Sequence, residues 1–128
     1  MHSADGASVL IVEDNADLRY LFRVALTIAG FRVREAPDGY HALVALEEDT
    51  PAVIVLDLGL PRVDGFTVLD ELQSRNDLPQ PAIVVVTGLD EIDHLRVPVL
   101  RKPVEPTALV STVRSVLRRA GSGPAPTV

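Results

Sequence analysis

Residues 53–65 read VIVLDLGLPRVDG, and this stretch decides the fold of the chain. It opens with four consecutive apolar residues, three of them β-branched, which is typical of a short strand buried on both faces. Asp57 closes the run and places a carboxyl group at the carboxyl end of the predicted strand. Gly59 and Gly65 lie in the following loop, where glycine allows the backbone to approach a ligand closely. The stretch therefore predicts a buried strand that presents an acidic residue beside a ligand-binding loop.

Three further apolar runs have the same form, and a polar side chain follows each of them. The runs and their polar ends are residues 9–12 with Glu13 and Asp14, residues 83–86 with Thr87, and residues 97–100 with Lys102. In a parallel α/β sheet the carboxyl ends of the strands lie at one edge, so these side chains should meet Asp57 in one crevice. Residues 31–36 alternate between apolar and polar side chains, which predicts an edge strand.

Amphipathic patterns separate the predicted strands. Apolar stripes at the helical period run through residues 18–29 and 109–117. Residues 38–48 and 65–74 predict two shorter helices, the first with Asp38 as its N-cap. Strands that alternate with helices predict a parallel sheet covered by helices on both faces. The predicted fold class is therefore α/β with a doubly wound parallel sheet.

The composition suits one cytoplasmic domain. The 128 residues are 47% hydrophobic, enough for a single core, and the absence of cysteine excludes disulfides and thiolate metal sites. A formal net charge of -6 argues against nonspecific binding of nucleic acid, and no apolar run is long enough to cross a bilayer. We expect a lead-in at residues 1–7, the folded domain at 8–119, and a disordered tail or linker at 120–128.

Four motifs in a fixed order give the chain a family resemblance. They are VLIVEDN at residues 9–15, VIVLDLGLPRVDG at 53–65, VVVTG at 84–88 and VLRKP at 99–103. By these motifs the chain resembles the response-regulator receiver domain, the phosphoacceptor module of two-component signalling. The resemblance extends from about Ser8 to Arg119. The resemblance implies a flavodoxin-like sheet of five parallel strands in the order 2-1-3-4-5.

The acidic residues of the motifs suggest a metal site. Carboxylates held close together repel one another, and a hard divalent cation with oxygen ligands relieves this repulsion. Mg²⁺ is the natural candidate. The resemblance implies that Asp14 and Asp57 bind Mg²⁺ directly, that Glu13 binds it through water, and that the backbone carbonyl of Gly59 completes the set of protein ligands.

The resemblance also implies a role for each remaining site residue. Asp57 is the phosphorylation site and the nucleophile, while Thr87 and Lys102 contact the transferred phosphoryl group. The donor is a histidine kinase or a histidine phosphotransfer protein, and the output goes to a downstream protein partner, without direct contact to nucleic acid or a membrane. The chain is thus expected to be a signalling domain that promotes its own phosphorylation and dephosphorylation, and not an enzyme.

Two departures from the family pattern concern the output. Between the predicted strands that carry Thr87 and Lys102, residues 88–95 leave little room for a helix, so the usual fourth helix should be reduced or absent. With Thr87-Gly88 followed by VPVLRKP, the chain resembles a subgroup of receivers that has a Thr-Gly motif and a similarly short fourth helix. Val99 stands where most of the family has an aromatic switch residue. The resemblance further implies a cis peptide between Lys102 and Pro103.

Two alternatives stay open at the level of sequence. Phosphatases with an aspartyl nucleophile also combine Asp, Thr, Lys and an acidic Mg²⁺ site, although their nucleophile usually opens an Asp-x-Asp motif and here Gly59 stands two residues after Asp57. A receiver-like interaction module that is never phosphorylated is the second alternative. Turnover of a phosphomonoester would support the first alternative, and a failure to label Asp57 with any donor would support the second.

Overall fold

A computed structural model describes residues 6–75, 80–88 and 95–122, and in it strands and helices alternate along the chain. The elements are β1 (Ser8–Val12), α1 (Ala16–Ile28), β2 (Arg32–Ala36), α2 (Gly39–Glu48), β3 (Val53–Asp57), α3 (Gly65–Ser74), β4 (Ala82–Thr87), β5 (Val99–Arg101) and α4 (Pro106–Ser122). The five strands form one sheet in the order β2-β1-β3-β4-β5, and every neighbouring pair is parallel. The predicted fold class and strand order are confirmed.

The strands β1, β3 and β4 are apolar on both faces because helices cover both sides of the sheet. On one face alternate strand residues pack with α2 and α3, in a cluster that includes Leu10, Val12, Ile54, Leu56, Val85, Ala42, Leu46, Val68, Leu69 and Leu72. On the other face the intervening residues pack with α1 and α4, in a cluster that includes Val9, Ile11, Val53, Val55, Val84, Phe22, Leu26, Leu109 and Val113. The period of two along each strand thus divides the core into two layers.

Side-chain caps fix where α1 and α2 begin. Asn15 accepts a hydrogen bond from the N–H of Leu18 at the start of α1. Asp38 caps α2 as predicted, with its Oδ1 2.8 Å from the N–H nitrogen of His41. Each cap satisfies one N–H that lacks a partner in the first helical turn. The caps set the helix starts next to the carboxyl ends of the strands, where the polar residues lie.

The last two elements have bounds that differ from the prediction. β5 spans Val99–Arg101 and not residues 97–100, because Pro98 has no N–H to donate to the sheet. α4 runs to Ser122 and so includes residues 120–122, which the sequence assigned to the tail or linker; arginine and alanine at 118–120 favour a helix. The helix predicted to be reduced falls mostly on residues 89–94, outside the described residues. Gly88 and residues 95–98, on either side, are not helical.

Candidate functional site

Three carboxyl groups meet at the carboxyl edge of the sheet. Glu13 and Asp14 follow β1, Asp57 is the last residue of β3, and one carboxylate oxygen from each lies within 4.8 Å of the other two. Glu13 and Asp57 are buried, whereas Asp14 is exposed. Sequence reasoning predicted this convergence from the strand ends, and the structure brings the three side chains together.

Lys102 follows the edge strand β5 and contacts two of the carboxylates at the same end of the sheet. Its Nζ lies 3.0 Å from Oδ2 of Asp57 and 3.0 Å from Oε1 of Glu13. The backbone N–H of Lys102 donates to the carbonyl of Thr87 at 2.9 Å, so the residue is fixed next to the end of β4. The peptide between Lys102 and Pro103 is cis, as predicted. The ammonium group is therefore shared by two buried carboxylates.

Burial and ion pairing shift two pKa values at the site. Burial raises the pKa of Glu13 above its ordinary value, and the nearby charge of Asp57 adds to this rise, although hydrogen bonds from Lys102 and Asn15 oppose it. Burial acts to lower the pKa of Lys102, yet its hydrogen bonds and charge interactions with Glu13 and Asp57 outweigh burial and raise the pKa. The carboxylates thus keep Lys102 charged.

The two oxygens of Asp57 have different partners. Oδ1 accepts a hydrogen bond from the N–H of Gly59 at 3.0 Å, which closes a local turn of the kind that aspartate often forms. Oδ2 pairs with Lys102. The loop then returns to its start, because the N–H of Gly65 donates to the carbonyl of Leu58 at 3.1 Å. These contacts hold the Asp57 side chain in one orientation at the edge of the sheet.

Thr87 and Gly59 lie next to these groups, while the roles predicted for them stay predictions. Thr87 is fully buried at the end of β4, and the preceding residue, Val86, pairs with Asp57 across the sheet. Gly59 contacts Asp57 through its N–H, and its carbonyl remains the predicted metal ligand. Both residues are therefore within the same strand-end neighbourhood as the carboxylates.

Sequence reasoning missed one residue of the site, Arg19. Its Nη1 donates to the backbone carbonyl of Glu13 at 2.8 Å, and its Nε lies 3.3 Å from Oε1 of Glu35. Arg19 stands six residues after Glu13, near the start of α1. Nothing in the sequence distinguishes it from an ordinary surface arginine, because its contacts depend on how α1 lies against β2.

The donor set fits a hard divalent cation. Oε1 of Glu13 is buried and, among the described residues, accepts no hydrogen bond of good geometry even though Lys102 lies 3.0 Å away. Three carboxylates face one ammonium, so the cluster carries excess negative charge when all four groups are ionised. Carboxylate oxygens are the ligands that Mg²⁺ takes in proteins. Glu13, Asp14 and Asp57 could therefore hold such an ion.

Comparison with known proteins identifies the family. The family described as "Response regulator receiver domain" matches residues 9–114, which is most of the chain. The chain belongs to this family. A receiver domain of response regulators serves in signalling, and this receiver domain has the strand order and the acidic strand ends that its sequence motifs imply. Among the described residues, no helix has both the length and the hydropathy needed to cross a membrane.

Curated relatives extend beyond the receiver domain. This chain is 36% identical over 119 residues to "Probable transcriptional regulator ycf27" of Porphyra purpurea, and the match covers 88% of this chain and 48% of that protein. It is 34% identical over 125 residues to "Transcriptional regulatory protein GltR" of Pseudomonas aeruginosa, with 92% and 52% covered. The chain therefore spans about half the length of these relatives.

Solved structures match nearly end to end. The chemotaxis response regulator CheY4 of Vibrio cholerae superposes with a TM-score of 0.78 at 25% identity, covering 87% of this chain and 98% of that one. A CheY-like receiver domain from Methylobacillus flagellatus gives a TM-score of 0.76 at 25% identity, with 88% and 99% covered. The receiver domain thus shares its fold with nearly the whole length of these two solved chains.

Proposed function

We propose that Asp57 accepts a phosphoryl group from the phosphohistidine of a histidine kinase or a histidine phosphotransfer protein. The observation that carries the proposal is the position of the Asp57 carboxylate, which lies 3.0 Å from the Lys102 ammonium and within the acidic cluster. A carboxylate next to a fixed positive charge, at an edge where a ligand can approach, suits a nucleophile in phosphoryl transfer. In this role the chain promotes its own phosphorylation and dephosphorylation and does not turn over a separate substrate.

In the proposed step an oxygen of Asp57 attacks the phosphorus of the donor. A new P–O bond forms, the P–N bond to the donor imidazole breaks, and the imidazole nitrogen leaves with the bonding electron pair and takes up a proton. Lys102 faces the oxygens that carry the transferred charge. Two unit charges about 4 Å apart interact by roughly 4 kcal/mol at an effective dielectric constant of about 20, so the ammonium should contribute substantially.

The cofactor of the proposed reaction is Mg²⁺, held by Glu13, Asp14, Asp57 and the backbone carbonyl of Gly59. When bound, Mg²⁺ supplies charge neutralisation for the phosphoryl oxygens and for the clustered carboxylates. The buried Oε1 of Glu13, which lacks a well-formed hydrogen bond, supports this assignment. In the absence of the ion, the ammonium of Lys102 provides part of the same compensation.

The output is proposed to be a conformational change read by a downstream protein partner. Thr87 would donate a hydrogen bond to a phosphoryl oxygen of phosphorylated Asp57, adding a contact that the unmodified chain does not make. Since Val99 has no ring, this change cannot depend on an aromatic switch there. We propose no direct contact with nucleic acid, because the formal net charge is -6, and none with a membrane. The proposed location is the cytoplasm.

Mass spectrometry after incubation with acetyl phosphate and Mg²⁺ tests the proposal. The chain should gain the mass of one phosphoryl group, and Asp57→Asn should gain none. Asp70→Asn is the matched control, because Asp70 is an exposed carboxylate on α3 away from the site, and it should label like the unsubstituted chain. Labelling should also be lost when EDTA removes the divalent cation. Equal labelling of Asp57→Asn would contradict the assignment.

The same preparations separate the two alternatives. An aspartyl phosphatase would release many phosphate ions per chain from a phosphomonoester such as p-nitrophenyl phosphate. A receiver-like module that is never phosphorylated would label with no donor, whether acetyl phosphate or a phosphorylated histidine phosphotransfer protein. We expect no turnover, because Gly59 stands where the phosphatases usually have the second Asp of their Asp-x-Asp motif. We expect labelling, because the nucleophile, the ammonium and the acidic cluster occur together.

A further inference from the structure

We infer that Arg19 is a positioning residue, which orients the Glu13–Asp14 segment for the divalent cation and is itself held by Glu35. This inference rests on the proposed function, since it concerns the same metal site. It adds two residues, Arg19 on α1 and Glu35 on the edge strand β2, that lie outside the four motifs of the sequence.

The first step of the argument is the backbone of Glu13. Its N–H donates to the carbonyl of Ala36 at 3.1 Å, and its carbonyl accepts from Nη1 of Arg19 at 2.8 Å. The Glu13 carbonyl is part of the planar peptide group between Glu13 and Asp14. A hydrogen bond to this carbonyl therefore restrains the orientation of the peptide to which Asp14 is attached. Asp14 is exposed, and the part of the chain described here gives its side chain little packing. Its direction therefore depends on this peptide.

The second step is the anchor of Arg19. Oε1 of Glu35 lies 3.3 Å from Nε of Arg19, and Oε2 lies 3.1 Å from Nε of Arg23. A guanidinium group presents several N–H donors in a fixed plane, so a contact at Nε sets the direction in which Nη1 points. The Arg19 side chain is 20% exposed, compared with 39% for Arg23. Glu35 thus aims the more buried of the two arginines at the Glu13 carbonyl.

The third step is that Arg19 contacts the backbone of Glu13 and not its carboxylate. Its donor goes to the carbonyl of Glu13, whereas the carboxylate of Glu13 is met by Lys102 and by the N–H of Asn15. An arginine that paired with the carboxylate would compete with a cation for the same oxygens. By contacting the backbone, Arg19 can fix the geometry of the acidic segment without occupying a metal ligand. Groups that orient metal ligands in this way commonly affect affinity.

The charge of Arg19 and its hydrogen bond to Glu13 should have opposite effects on the affinity for Mg²⁺, and this difference allows a sharp test. Removing a positive charge near the cluster should by itself favour cation binding, while losing the hydrogen bond to Glu13 should weaken it. Arg23→Gln is the matched control, because it removes the same charge from the same helix and the same partner, Glu35, but Arg23 has no contact with Glu13 among the described residues. Comparison of Arg19→Gln with Arg23→Gln therefore isolates the positioning effect.

The experiment is a calorimetric Mg²⁺ titration of the full chain and of both variants, well below the melting temperature of each. We expect the Mg²⁺ dissociation constant of Arg19→Gln to rise by about tenfold, as for other groups that orient metal ligands. That of Arg23→Gln should stay the same or fall slightly. A purely structural role would lower the melting temperature without this change in dissociation constant. Equal constants for the two variants would overturn the inference.

Glu35→Ala keeps the test decisive if Arg19→Gln fails to fold, since it leaves Arg19 in place and removes the carboxylate that anchors it. Its Mg²⁺ affinity should fall, by less than that of Arg19→Gln, and an unchanged affinity would count against the inference. The amide resonances of Asp14 and Asn15 should shift in Arg19→Gln before Mg²⁺ is added. If the unsubstituted chain binds no Mg²⁺, the proposed function fails together with the inference; if it binds and the variants match it, the inference alone fails.

Discussion

Two loops at the carboxyl edge of the sheet are held in place by different forces. The loop after β1, residues 13–15, is fixed by charged groups: Lys102 on the Glu13 carboxylate and Arg19 on its carbonyl. The loop after β3, residues 58–64, is fixed mainly by close contact between backbone atoms. The first loop carries the acidic residues proposed to bind the cation. The second loop follows Asp57, the proposed nucleophile.

Glycines show how closely the second loop is packed. A Cβ on Gly65 would overlap the carbonyl oxygen of Asp57 and the Cα of Leu58, and a Cβ on Gly39 would overlap the carbonyl of Val63. Backbone atoms cannot move aside as the end of a flexible side chain can. The comparison teaches that one loop should be sensitive to charge and the other to volume.

The largest effect is expected for Gly65→Ala. The added methyl group would force the loop away from Asp57, and we expect a loss of about 3 kcal/mol or more in the free energy of unfolding. Gly59→Ala is the matched control, because its Cβ would come no closer than 3.9 Å to Oδ1 of Asp57. Urea denaturation of both variants measures the difference. Similar midpoints for the two would show that backbone packing does not hold this loop.

A smaller effect is expected for Lys102→Gln, which tests the charged loop. Glu13 is 1% exposed, and without the ammonium its carboxylate would be buried with less compensation. Leaving a buried polar group without its partner costs about 1–3 kcal/mol, so the unfolding free energy should fall by about 2 kcal/mol. Adding Glu13→Gln to this variant should restore part of the loss, as measured by urea denaturation. A double variant with no recovery would mean that Lys102 stabilises the loop by packing.

The smallest effect concerns an ion pair between the second loop and α2. Asp38 caps α2 and lies 3.8 Å from Nη1 of Arg62; its pKa is lowered, first by the N–H of His41 and then by the His41 side chain and Arg62. A lowered folded-state pKa means that this charge stabilises the fold above the unfolded pKa, about 4, and that the contribution disappears as the pH falls through the folded pKa.

Asp38→Asn keeps an oxygen for the cap and removes the charge. The unsubstituted chain should therefore be slightly more stable than the variant at about pH 6, and the difference should vanish as the pH falls below about 4. Urea titrations over this range measure it. A difference that is constant with pH would assign the effect to the geometry of the cap and not to charge.

Much of the architecture was predictable because it depends on local patterns. The apolar runs before Glu13, Asp57 and Thr87 became strands buried on both faces, and the Asp38 cap formed as predicted. The order of the strands came from the family resemblance, and the structure confirms it. The convergence of the carboxylates with Lys102 followed from the rule that parallel strands end at one edge.

The sequence by itself determined which residues could be buried strands and which polar groups would lie at their ends, since periodicity and turn chemistry act over a few residues. Tertiary structure decided that Arg19 would reach the Glu13 carbonyl, that Gly39 would touch Val63, and that α4 would continue to Ser122. Such contacts join groups far apart in the chain or depend on packing around a helix end. These groups come within contact distance only when the helices pack against the sheet.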